Sequence, residues 1–161
     1  MILREYTSND LERVLELNEA LVHFLSPLTR EKLEDLVKQC DFSYVVEIDG
    51  IVEAFILALS DNKDYDSVNY QWFFHRYDRF LYIDRVVVST DYQSQGLGQL
   101  MYKKIIKKAK EKEYPFLLAE IDVEPENQKS LNFHESFGFI EVGRESIHNG
   151  KKVVSLQALK L

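Results

Sequence analysis

The 161-residue chain carries a single cysteine, Cys40, which excludes an intramolecular disulfide and any zinc site built from cysteines. Proline (three) and glycine (six) are too scarce for a low-complexity chain, and 45% hydrophobic with 29% charged residues is an ordinary globular composition. No stretch approaches the roughly 20 apolar residues that span a bilayer, so no membrane partner is expected. Met1-Ile2-Leu3-Arg4-Glu5 has no basic region followed by an apolar core, so no signal peptide is expected and the protein is expected in the cytoplasm. Surplus basic charge is missing too. A net charge of −7 leaves too little Lys and Arg to displace phosphate counterions, which argues against sequence-independent nucleic-acid binding. The same acidity steers cationic small molecules and serves solubility equally well. Gly-x-Ser-x-Gly, His-Glu-x-x-His and Cys/His clusters are absent from the sequence, which weakens a hydrolase reading. His23 and His75 have no partner at metal-ligand spacing and His148 adjoins a hairpin turn, so no metal is expected.

The length suits one domain over residues 1–161, burying roughly 70% of the surface that the unfolded chain exposes. Residues 2–6 read as a strand. Ser8, Asn9 or Asp10 caps a helix whose apolar positions Leu11, Val14, Leu15, Leu17, Leu21 and Val22 follow a 3.6-residue period, and Pro27 breaks it. Thr29 starts a second helix running to about Gln39. Residues 42–60 form a hairpin around Asp49-Gly50. Residues 61–79 are polar, then aromatic, and suit a functional loop or one carrying its own short helix. The aromatics fit a buried core better than a cover over an acceptor. A strand over 81–88, a helix over 97–111 with a lysine-rich outer face, a strand over 116–123 and a helix over 127–137 ended by Gly138 follow. Two strands over 140–146 and 153–159 flank the second hairpin signal, Asn149-Gly150. This order gives an α/β arrangement of one sheet layer covered by helices.

The chemistry concentrates between the strand over 81–88 and the helix that follows, at Gln93-Ser94-Gln95-Gly96-Leu97-Gly98. Two glycines at a helix N-terminus let backbone N–H groups approach an anion such as a pyrophosphate, and they serve a plain turn equally. A nucleotide-triphosphate loop needs Gly-Lys-Ser/Thr, but Gln99 and Leu100 follow here. A dinucleotide fingerprint needs a third glycine where Met101 stands.

Gln93-Ser94-Gln95-Gly96-Leu97-Gly98 resembles the Arg/Gln-x-x-Gly-x-Gly/Ala signature of the GNAT N-acetyltransferase superfamily. Asn127-Gln128-Lys129-Ser130-Leu131-Asn132-Phe133-His134-Glu135-Ser136-Phe137-Gly138-Phe139 resembles that family's second block. The resemblance is strong over residues 80–161 and lies in element order before that. Within the family, the second half is similar to a subgroup of predicted acetyltransferases. The resemblance implies the GNAT fold, a mixed, mostly antiparallel sheet of about seven strands flanked by about four helices. It also implies acetyl-CoA as cosubstrate, and a small-molecule or peptide amine as acceptor attacking the thioester directly. By position, backbone groups of Val86, Val87 and Val88 would hold the pantetheine. Gln93, Ser94, Gln95, Gly96, Leu97, Gly98 and Gln99 would hold the pyrophosphate. Asn127, Ser130, Phe133 and His134 would touch the cosubstrate from the next helix, with Asn127 an equally good helix cap.

Where the family usually has a tyrosine acid, this chain has His134. Histidine titrates near neutrality and suits either an acid or base role or a half-buried helix position. A CoA thiolate leaves well enough for the acid to be dispensable. Glu120, Asp122 on the same strand face, and Asp84 are the candidate bases, each equally able to pair with a cation. The loop from that strand to Asn127 is about two residues longer than the family's pattern, which leaves Glu120 and Asp122 both open. The missing tyrosine also suits a catalytically weak acyl-CoA-binding or sensor module of the same fold. Monomer and homodimer are both compatible.

Overall fold

The computed structural model describes residues 1–23 and 25–161. In chain order the elements are β1 (Ile2–Glu5), a 3-10 turn (Ser8–Asp10), α1 (Leu11–Glu19), α2 (Arg30–Gln39), β2 (Phe42–Ile48), β3 (Ile51–Ser60) and α3 (Val68–Phe74). Then come β4 (Leu81–Val88), a second 3-10 turn (Thr90–Tyr92), α4 (Leu97–Glu111), β5 (Phe116–Glu124), α5 (Gln128–Phe137), β6 (Ile140–Ile147) and β7 (Lys152–Lys160). The seven strands form one sheet in the order β1-β2-β3-β4-β5-β7-β6. Each pairing of known direction is antiparallel except β4 with β5, which is parallel, so this is a mixed, mostly antiparallel α/β sheet. The aromatic segment supplies a fifth helix, α3.

The chain divides into two compact units. The first comprises residues 1–59 and 83–108. Its core is apolar stripes at helical spacing, Leu11, Val14 and Leu17 on α1 and Leu33 and Leu36 on α2, with Val45, Val46 and the run from Phe55 to Leu59 on the strands. A capping box starts the first helical segment, where Thr7 N–H donates to Asp10 Oδ2 at 2.8 Å. Arg4 donates to both Asp10 oxygens at 2.8 Å, holding that carboxyl below its ordinary range. Helix α1 stops at Glu19, earlier than the apolar pattern through Val22 suggests. Leu21 N–H bonds Asn18 O and Val22 N–H bonds Glu19 O, three-residue spacings that end the α-helix before Pro27.

The second unit comprises residues 60–82 and 109–161. Tyr70, Phe73, Phe80 and Tyr82 are fully buried there, so these members of the aromatic run are core, while Phe74 is exposed. The Tyr70 ring stands edge-on to Phe80 at 5.7 Å and to Tyr82 at 5.5 Å, while its hydroxyl donates to Ser60 O at 2.7 Å. Trp72 Nε1 donates to Glu145 Oε1 at 2.9 Å. A Cβ at Gly143 would stand 2.5 Å from the Trp72 ring, so β6 can carry no side chain at that position without a shift. Helix α5 ends on Gly138 in the left-handed conformation (φ 91°), as its sequence position suggests.

Candidate functional site

In the first unit, β4 ends on Val86, Val87 and Val88, of which Val87 is buried. Ser89 N–H donates to Glu53 O at 2.8 Å, which fixes the strand end. Beyond the 3-10 turn the backbone takes left-handed values twice, at Ser94 (φ 63°) and Gly96 (φ 88°). Non-glycine residues rarely hold that conformation, and Ser94 does so on an exposed loop. Gln95 Nε2 closes the loop by donating to Asp91 O at 2.8 Å. Leu100 N–H then donates to Gly96 O at 3.0 Å, so Gly96 provides the first acceptor of α4, and Leu97, its first residue, is buried. The N–H groups of Leu97, Gly98 and Gln99 have no acceptor within the helix, a general property of helix starts. Nothing lies within 4 Å of where a Gly96 Cβ would be, so the space above the loop is open. Open space, left-handed backbone and a helix start with unmet N–H groups are together features that suit a polyphosphate.

Beside the strand end lies a cavity of about 220 Å³ lined by Arg13, Glu16 and Leu17 from α1 and by Val88, Ser89 and Asp91. Ser89 Oγ is buried without a hydrogen-bond partner. Further down β4, Arg85 is 6% exposed and donates to Asn18 Oδ1 at 2.8 Å, Ser26 O at 2.7 Å and Ser26 Oγ at 2.6 Å. It thereby ties down the connection between α1 and α2. Its Nε lies 3.3 Å from Asp84 Oδ2 without hydrogen-bond alignment, so the candidate base Asp84 sits buried against a cation.

In the second unit, the β4–β5 ladder pairs Leu81 with Leu117 and Tyr82 with Leu118. Glu120 is two residues beyond Leu118 on the same strand face, and Tyr82 Oη donates to Glu120 Oε2 at 2.7 Å. Asp122 is 8% exposed and lies 2.7 Å from Lys152 Nζ. Burial pushes its carboxyl up, with Lys152 opposing. The extra loop residues form a small closed excursion. Asn127 N–H donates to Asp122 O at 3.1 Å, Val123 bridges Glu126, and the register shifts between Asp122 and Glu124.

Asn127 caps α5, its Oδ1 accepting from Ser130 N–H at 3.2 Å. One turn on, His134 is 3% exposed, edge-on to Phe133 at 5.5 Å and to Phe139 at 5.1 Å. Its Nδ1 is 2.7 Å from Ser130 O, and a carbonyl only accepts, so the ring proton stands on Nδ1 and Nε2 carries the lone pair. Burial drops its pKa to about 4, which leaves the imidazole neutral at pH 7.

Each half of the predicted set is therefore assembled within its own unit: Val86–Val88 with residues 93–99, and Glu120, Asp122, Asn127, Ser130, Phe133 and His134. Tyr82, Lys152 and the Arg85–Asn18–Ser26 cluster complete these environments. Sequence reading passes over them because each contact depends on strand register or loop path and carries no motif.

The fold is shared with structures of low sequence identity. Ard1 from Thermoplasma volcanium matches with a TM-score of 0.81 at 14% identity, over 99% of this chain and 97% of its own. The ribosomal-protein-S18-alanine N-acetyltransferase from Escherichia coli matches at 0.75 and 16%, over 99% and 92%. The yncA protein from Salmonella typhimurium, solved with its cofactor acetyl-CoA, matches at 0.76 and 19%, over 100% and 94%. The profile of one family runs over residues 8–139, which include both the glycine loop and the α5 block. By that match, this chain belongs to the acetyltransferase (GNAT) family.

Proposed function

We propose that residues 1–161 act as one acetyltransferase domain that moves an acetyl group from acetyl-CoA to a primary amine on a small molecule or a peptide. The observation that carries this reading is the loop before α4, where left-handed Ser94 and Gly96 stand at a helix start with open space at Gly96. Residues 93–99 hold the pyrophosphate, and the Val86–Val88 backbone holds the pantetheine. Asn127, Ser130 and Phe133 touch the cosubstrate from α5.

Of the three carboxylates, Glu120 is the base, directly or through a water. Asp122 and Asp84 each lie beside a cation, Lys152 and Arg85, that protonation would leave without its counter-charge. Glu120 accepts a hydrogen bond from the Tyr82 phenol at 2.7 Å. In the reaction the amine nitrogen bonds to the thioester carbon and the carbon–sulfur bond breaks. The proton lost by nitrogen passes by way of Glu120 to the thiolate, so amide and free CoA are the products. Neutral His134, its Nδ1 proton given to Ser130 O, is a cosubstrate contact rather than the acid. The same feature supports a second reading, an acyl-CoA-binding module with little turnover, because the residue in the usual acid position holds no spare proton at pH 7.

A thiol-release assay with acetyl-CoA against polyamines, free amino acids and N-terminal peptides separates the two. Amine-dependent thiol release in any series supports transfer. Acetyl-CoA binding without release in any series supports the binding module.

A further inference from the structure

The Tyr82 hydroxyl donates a hydrogen bond to Glu120 from a fixed place in the core. The hydroxyl is buried with its ring, which stands edge-on to Tyr70 at 5.5 Å and tilted 52° against Phe73 at 5.9 Å. Both neighbours are fully buried, so the ring cannot swing without moving the aromatic core. The parallel ladder then fixes what the hydroxyl meets. Tyr82 pairs with Leu118, and at about 3.3 Å of rise per residue the next side chain on that face, Glu120, stands about 7 Å along the strand. A phenol spans that offset, and its oxygen ends 2.7 Å from Glu120 Oε2. A flexible carboxylate on a half-buried strand is thus referred to a rigid group in the core.

We propose that Tyr82 is the positioning residue of the base: its phenol pins the Glu120 carboxylate in the orientation from which it takes the amine proton, and stays protonated throughout. This rests on the assignment of Glu120 under Proposed function. It goes beyond it by making the aromatic excursion of residues 65–82 part of the catalytic apparatus, as the mould that fixes the phenol. The contrast with the other carboxylates is chemical. Asp122 and Asp84 stand beside the cations Lys152 and Arg85, whose charge works against proton uptake, whereas the phenol gives Glu120 a hydrogen bond that fixes its direction.

The test is a double-mutant cycle of Tyr82→Phe and Glu120→Gln, read by thiol release from acetyl-CoA with the best acceptor of the amine panel, or with water as acceptor. Phenylalanine keeps the ring and its packing and deletes only the hydroxyl. Tyr82→Phe is expected to lower kcat about tenfold, with KM for acetyl-CoA within twofold of wild type. It is expected to have no further effect in the Glu120→Gln background, because the positioned group is gone. A merely structural hydroxyl would lower kcat by the same factor in both backgrounds, or not at all, and either result overturns the proposal. Acetyl-CoA affinity measured calorimetrically on the same variants keeps the two readings apart. If wild type binds acetyl-CoA but none of the acceptors, water included, elicits thiol release, the transfer reading fails and this one falls with it. If Glu120→Gln retains full turnover, Glu120 is not the base and the pair is structural.

Discussion

The glycine loop before α4 and the side-chain set on β5 and α5 serve their units by different means. In the loop the proposed working groups are backbone amides, and what matters is the dihedral angles of Ser94 and Gly96 and the open space at the Gly96 Cβ position. On β5 and α5 the working groups are side chains, and what matters is which partner each has: Tyr82 for Glu120, Lys152 for Asp122, the Ser130 carbonyl for His134. A backbone site tolerates most side-chain changes that preserve conformation and is harmed by introduced charge. A side-chain site responds to the loss of a single atom. Perturbing the first should therefore move affinity for acetyl-CoA, and perturbing the second should move turnover or stability.

The largest effect expected is on turnover. Glu120→Gln removes the proposed base and should lower kcat at least a hundredfold, the usual scale for general-base catalysis, with acetyl-CoA affinity unchanged by calorimetry. Equal losses in both quantities would erase the distinction between the two regions.

Next is the pH dependence of stability. His134 has a folded pKa of about 4 against an ordinary 6.5, so its contribution is fully present above pH 6.5 and is lost as pH falls through that window towards 4. The loss should approach about 3 kcal/mol, seen by chemical denaturation at pH 7.5, 5.5 and 4. His134→Leu should flatten that slope. An unchanged slope would mean that the imidazole titrates normally.

Gly143→Ala sharpens the comparison from outside both regions. Its methyl meets the Trp72 ring and should cost about 1–3 kcal/mol by overpacking, read as a fall in the unfolding midpoint, with the acetyl-CoA Kd unaltered.

The smallest effect expected is at Asn127, which belongs to both descriptions as helix cap and as proposed cosubstrate contact. Asn127→Ala should cost about 1 kcal/mol of stability, whereas Asn127→Asp should keep the cap. A fall in acetyl-CoA affinity in the alanine variant alone would give the residue to the cap. A fall in both would give it to the ligand as well.

This division also explains what was legible in the sequence. Local rules locate the hairpins at Asp49-Gly50 and Asn149-Gly150, the cap at Thr29 and the glycine loop, because turns and helix starts are set by residues next to one another. The candidate base stayed open among Glu120, Asp122 and Asp84 because a carboxylate's role depends on neighbours distant in sequence. Tyr82 lies 38 positions from Glu120, and only the β4–β5 register brings them together. The early end of α1 was hidden likewise, since Asn18 and Ser26 bond to Arg85, 67 and 59 positions away. Helix α3 was left open by a 61–79 segment without clear periodicity, although its aromatics do read as core.

The central claim, that residues 93–99 form a backbone cradle for a pyrophosphate, is tested most directly by calorimetric titration of acetyl-CoA into wild type, Gly96→Asn and Gly96→Asp. Asparagine and aspartate are nearly isosteric, both tolerate the left-handed backbone, and nothing crowds a side chain at this position, so the pair isolates charge. The account predicts micromolar binding by wild type, a loss of no more than a fewfold for Gly96→Asn, and at least tenfold weaker binding for Gly96→Asp. Equal affinities for the two variants, or no binding by folded wild type, would contradict it.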